Sequence, residues 1–174
     1  MKKIIITFFT ALLITCTFGQ TKDASYYRAK GYQVFSQQRV AVKAPVVLQD
    51  VSRQASGDFA LNYGGVEDEN KPSMAFYQFM VSDLPAGYGD YTESQLQEIM
   101  GELIKSMTSS FTNVKNVRFG DEGCVGYVGD TQTQGYKQRG LVFYRKGRTY
   151  AVTVITNYQL EQRFNKFTNG IKFF

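Results

Sequence analysis

The chain has no histidine, no tryptophan, two cysteines and three prolines among its 174 residues. Without histidine, every Ser-His or Cys-His pair for nucleophilic catalysis is excluded, as are the usual Cys/His zinc sites. Charge of one sign is also scarce: 20 basic residues face 15 acidic ones. Such a mild balance favours solubility and weak attraction to anionic surfaces, and it calls for no nucleic-acid partner. What the chain has instead is apolar and aromatic material, 43% and 15% of its residues. That is enough to bury the core of one domain and hardly enough for two.

The first residues set the compartment. Met1-Lys2-Lys3 and the apolar stretch Ile4–Ile14 have the charged and hydrophobic regions of a secretory signal, too short for a comfortable membrane span. Thr17-Phe18-Gly19 puts small residues where a signal peptidase reads. Residues 1–19 are therefore expected to leave, with Gln20 as the mature N-terminus, in a protein exported from a bacterial cytoplasm to the periplasm or beyond. A second reading rests on Leu13-Ile14-Thr15-Cys16, which is similar to a lipoprotein box with lipid on Cys16, although threonine fits poorly before the cysteine. In that form the protein stays at a membrane through its lipid alone. Loss of residues 1–19 removes Lys2 and Lys3, leaving 18 basic against 15 acidic residues, a net of +3. It also leaves Cys124 as the single thiol, so no intramolecular disulfide forms.

The organising stretch is Arg139–Thr156, RGLVFYRKGRTYAVTVIT. Aromatic and β-branched runs flank Lys146-Gly147, and a glycine at that place tolerates positive φ, so the stretch reads as a hairpin. Pairing Arg145 with Arg148 puts Phe143 opposite Tyr150 and Leu141 opposite Val152 on one face. Val142 with Ala151 and Tyr144 with Thr149 fall on the other. Both faces are largely apolar, so both are expected to be covered.

Around it, residues 20–37 read as a polar arm, Gln38–Ala44 as a short strand ended by Pro45, and residues 58–64 and 74–81 as longer strands with a polar turn at 65–72. Residues 46–53 fit either a helical turn or an irregular crossing, and 84–91 form a Pro/Gly loop. Thr92 with Gln95 makes a capping box for an amphipathic helix over 93–109, whose apolar stripe runs from Leu96 through Met100 and Ile104 to Met107. Strands at 114–119 and 124–133, a turn at Gln134-Gly135, a helix over 158–168 capped by Asn157, and a last strand at 171–174 complete the chain.

No constellation carries chemistry. The glycines of GCVGYVG, residues 123–129, lack the Lys-Ser/Thr and the helix of a phosphate cradle and read as crowded strand glycines. Glu67-Asp68-Glu69-Asn70 lacks the ligand spacing of a calcium loop and reads as a solvated turn. Cys124 sits in an apolar strand as an inert thiol. The remaining candidates for recognition are Tyr88 and Tyr91 in the Pro/Gly loop, and Lys137, Arg145, Lys146 and Arg148 beside the hairpin; the basic group is a possible contact for an anionic head group or partner.

The order of these elements, with Asn116-Val117-Arg118-Phe119-Gly120, the Tyr/Arg-Lys-Gly-Arg hairpin and the closing Phe167-Thr168-Asn169-Gly170-Ile171-Lys172-Phe173, resembles the PsbP-like fold superfamily over most of residues 38–174. That group includes the extrinsic photosystem subunit, Mog-type proteins and DcrB-type bacterial lipoproteins. The resemblance implies one α+β domain over 38–174, an antiparallel sheet of about six strands with helices on both faces. It also implies a non-enzymatic binding or accessory role, with no cofactor and with a protein or lipid of the envelope as partner. Two alternatives accompany it: a carrier holding a small apolar ligand between helix 93–109 and the sheet, and a hydrolase using residues without a recognisable pattern.

The leader makes a direct prediction. The exported protein begins at Gln20, cyclised to pyroglutamate, in an intact-mass measurement; a mass that starts at lipid-bearing Cys16 establishes the anchored form instead.

Overall fold

A computed structural model describes residues 22–52, 59–68, 71–83, 91–107 and 111–174; the leader, Cys16 and Tyr88 lie outside them. Strands fall into two antiparallel sheets. The larger has seven strands in the order β3 (Gln49–Asp50), β4 (Phe59–Asp68), β5 (Lys71–Asp83), β9 (Arg148–Thr156), β8 (Tyr136–Arg145), β7 (Cys124–Thr133) and β6 (Thr112–Phe119). The smaller places β1 (Gln33–Phe35), β2 (Val40–Val42) and β10 (Ile171–Phe173) side by side in that order. This corrects the expectation of one sheet of about six strands. The α+β class and the antiparallel pairing are as expected.

The central hairpin has the register read from the sequence: Arg145 faces Arg148, Phe143 faces Tyr150 and Leu141 faces Val152. Lys146 and Gly147 both have positive φ, 49° and 80°, as do Gln134 and Gly135 at 51° and 81°. Two left-handed residues in succession make the turn whose twist matches that of the flanking strands, which pins both registers. Both faces of the hairpin are covered. On one, Val142 meets Met100 and Ile104 of helix α2 (Glu93–Met107), all three fully buried. On the other, Leu141, Phe143, Tyr150 and Val152 pack with Phe164 and Phe167 of helix α3 (Leu160–Asn169) and with Val40, Val42 and Ile171 of the small sheet.

Helix α2 starts at the expected capping box: the Thr92 N–H donates to Gln95 Oε1 at 2.9 Å and the Gln95 N–H to Thr92 Oγ1 at 3.4 Å. Of its apolar stripe only Met100 and Ile104 are fully buried; Leu103 and Met107 are partly so. Gly126 confirms the crowding read from GCVGYVG, because a Cβ there would stand 2.5 Å from the Val142 carbonyl oxygen.

Other boundaries moved for physical reasons. The stretch taken as an arm holds α1 (Ala24–Ala29), capped by the Asp23 carboxylate, and β1. One buried ring, Tyr27, edge-on to Tyr32 and tilted against Phe174, fastens α1, and a single buried residue leaves no periodicity to read. The turn taken as 65–72 shrinks, because β4 runs on to Asp68 and pairs it with Lys71 past a bulge. Helix α3 begins at Leu160 instead of 158. The Tyr158 N–H is held by buried Thr156 Oγ1 at 3.2 Å, and Gln159 is left-handed at φ 50°, so the chain cannot enter helix until the next residue.

The two sheets are joined by rings. Phe143 stacks on Tyr150 with centroids 4.9 Å apart, Phe119 lies 4.4 Å from Phe143, and Phe173 of the small sheet stands edge-on to Tyr150 at 5.2 Å. Replacement of Phe143 by alanine is expected to lower the unfolding free energy by about 3–5 kcal/mol in urea denaturation, whereas Lys137→Ala, at an exposed position, stays within about 0.5 kcal/mol.

Candidate functional site

The cover on the ring-bearing face is narrower than the sheet beneath it. Seven strands spaced about 4.8 Å apart span roughly 29 Å, whereas one helix and a three-stranded sheet side by side cover about 20 Å. The uncovered strip falls at the β6–β7 side. There a groove of about 710 Å³ runs between strands β6, β7 and β8 and the α3–β10 layer.

Alternation decides which side chains line it. Val117 and Phe119 from β6, Cys124 and Val128 from β7 and Leu141 from β8 point into the groove, opposite Phe164 and Phe173. They form an apolar floor. Two bidentate ion pairs mark its length. Arg139 donates to Asp130 through Nε at 2.7 Å and Nη2 at 3.0 Å, while its guanidinium lies 5.6 Å from the centre of the Phe164 ring. Toward the other end, Arg145 donates to Glu122 at 2.7 and 2.9 Å with its guanidinium 4.3 Å over Phe173.

These contacts fix the protonation states. The hydrogen bond from Arg145 holds the Glu122 carboxyl below its ordinary range. The hydrogen bond to Asp130 raises Arg139 further, which favours the charged guanidinium. Burial pushes the Cys124 thiol up, with the Glu122 charge adding to it, and burial raises the Tyr150 hydroxyl in the same way. Each shift favours a group that is paired or neutral, the opposite of what activates a nucleophile.

The residues singled out from the sequence are dispersed. Arg145, Lys146 and Arg148 meet at the β8–β9 turn, but Arg145 is turned into the groove and Arg148 holds Asp83 at 2.7 Å. Lys137 lies at the far end of β8, about 27 Å away at 3.4 Å per residue. Tyr91 is partly exposed just ahead of α2. The alternative ligand site between α2 and the sheet is packed with side chains, and the groove lies on the opposite face. The Asp130–Arg139 pair was missed, yet a signal existed: a turn at Gln134-Gly135 pairs Thr133 with Tyr136 and carries the register back to Asp130 opposite Arg139. Among the described residues no three His, Cys, Asp or Glu side chains are grouped to hold a metal, and no helix is long and apolar enough to cross a membrane.

No family model matches the sequence, and no curated protein does. Among solved structures the chain is similar to the solution structure of cyanobacterial PsbP (CyanoP) from Synechocystis sp. PCC 6803, with 13% identity, 82% of this chain and 91% of that chain covered, and a TM-score of 0.50. At that identity the likeness concerns backbone architecture alone: the chain has the PsbP-like fold.

Proposed function

We propose that this chain is an exported, non-enzymatic binding protein of the bacterial envelope, and that the groove between β6–β8 and the α3–β10 layer takes its partner. The observation that carries the reading is the groove itself: an apolar floor, about 710 Å³ of space, and two arginine–carboxylate pairs, Arg139–Asp130 and Arg145–Glu122, set along it. A site with matched ion pairs and an apolar base is suited to hold a ligand by burial and shape. It is poorly suited to supply or accept protons during a reaction, because the pairs resist a change of charge. The accessory role implied by the fold resemblance agrees with this chemistry, as does the leader read at residues 1–19.

Two measurements test the proposal. A photo-activatable benzophenone amino acid at Val117 or Val128, on the groove floor, is expected to give defined adducts in the intact envelope, while the same group at exposed Glu98 on α2 gives none. Equal yields at all three positions, or none at any, would remove the groove as the binding site. The second measurement concerns the thiol. Maleimide is expected to modify Cys124 more slowly in the native protein than in urea, with the native rate still rising above pH 9, because burial raises the thiol above its ordinary value. Rapid native labelling at pH 7 would identify an activated cysteine and reopen the enzymatic reading.

A further inference from the structure

Past the Asp130–Arg139 pair the groove opens into a second depression of about 820 Å³, which shares Asn113, Asp130, Arg139, Glu161 and Asn165 with the first. Its lining changes character. Asn113, Gln132, Asn157, Gln159, Gln162 and Asn165 bring six side-chain amides to one concave surface. They come from β6, β7, the β9–α3 connection and α3, so the fold, and no single stretch of sequence, assembles them. Each of the six amides offers two donors and an acceptor.

Tyr158 stands in the same depression with 51% of its surface exposed. Its backbone is fixed from below by Thr156, a fully buried residue whose hydroxyl accepts the Tyr158 N–H. The ring is therefore presented on a rigid support. Two of the amide residues, Asn113 and Gln159, are held at φ 54° and 50°. Left-handed backbone is costly for glutamine and persists where the surrounding structure imposes it. Charge is balanced: Lys137 and Arg139 are matched by Asp130 and Glu161.

We infer that this depression binds an uncharged glycan. Amides supply donor and acceptor together, which is what vicinal hydroxyl groups require, and the bidentate Asp130–Arg139 pair offers a fixed row of further acceptors and donors at the floor. The exposed Tyr158 ring offers an apolar face on which the C–H side of a sugar ring stacks. An anionic ligand fits less well, since the four charges cancel and Arg139 is already neutralised. An added peptide strand fits less well too: the edge strand β6 is interrupted by an irregular register between Thr112 and Lys115, and carries an exposed lysine there, both of which discourage strand addition. The inference deepens the proposed function by naming the ligand class at the polar end of the same groove.

The test uses the exported full-length protein on an array of uncharged oligosaccharides of hexose and N-acetylhexosamine, with uronic-acid oligosaccharides and a panel of extended peptides as comparators. Binding to an uncharged oligosaccharide is expected, little changed between low and high salt, and weakened at least tenfold in Tyr158→Ala and in Asn165→Ala. Lys146→Ala, at the far turn, should leave it unchanged. Circular dichroism of each variant separates lost binding from lost fold. Failure to bind any uncharged oligosaccharide, salt-sensitive preference for the uronic acids, peptide binding alone, or sugar binding indifferent to Tyr158 and Asn165 each overturns the inference. Cross-linking from Val128 is read independently, so a captured partner without sugar binding removes the glycan and leaves the binding groove standing.

Discussion

Everything in this molecule depends on a seam of aromatic rings between two sheets of unequal width. Phe119, Phe143 and Tyr150 rise from the large sheet and Phe173 descends from the small one. Each well-placed ring pair contributes about 0.5–1.5 kcal/mol beyond its burial, and the geometry demands an offset or an edge, so the seam fixes position as well as distance. It also depends on register. A slip of one residue in β8 would send Phe143 to the α2 side and bring Val142 into the seam. The two left-handed turns at 134–135 and 146–147 prevent that slip, so local turn chemistry secures the long-range contact.

The groove follows from the same constraint. Because the seam holds the small sheet and α3 over the middle of the large sheet, the β6–β7 side is left without cover, and its inward residues are only partly buried. The ion pairs then have a structural part in shaping it. Arg145 caps the seam by lying over Phe173, and Glu122 keeps that guanidinium from being a buried, unmatched charge. Arg139 and Asp130 do the same beside Phe164. Charged residues near a groove are easily read as a surface for an anionic partner; here Arg139 and Arg145, each matched by a carboxylate, hold its walls in place.

The legible parts of the sequence were those whose signals are local. A two-residue turn with glycine, a threonine followed by glutamine three positions on, and alternation across Arg139–Thr156 each state their geometry within a few residues. The split into two sheets is not local. Strands β1, β2 and β10 have three residues each, too short for alternation to distinguish faces, and the partner of Val42 is Ile171. The basic residues illustrate the same limit. Lys137 and Arg145 are close in sequence, but the extended chain of β8 carries them to opposite ends of one strand. The amide-lined depression had no sequence signature at all, since its six amides come from two strands, one connection and one helix.

The pairing of β2 with β10 has a further meaning for how the protein reaches its final form. Strand β2 must wait for β10, separated from it by all seven strands of the large sheet, before the small layer can close. Such distant pairing is slow, because the chain loses the freedom of a long loop before any contact rewards it. Until then the rings of Phe143 and Tyr150 face water on the large sheet, an adhesive apolar surface. The small layer is then the last to assemble, and the rings it covers are the last to be hidden from water.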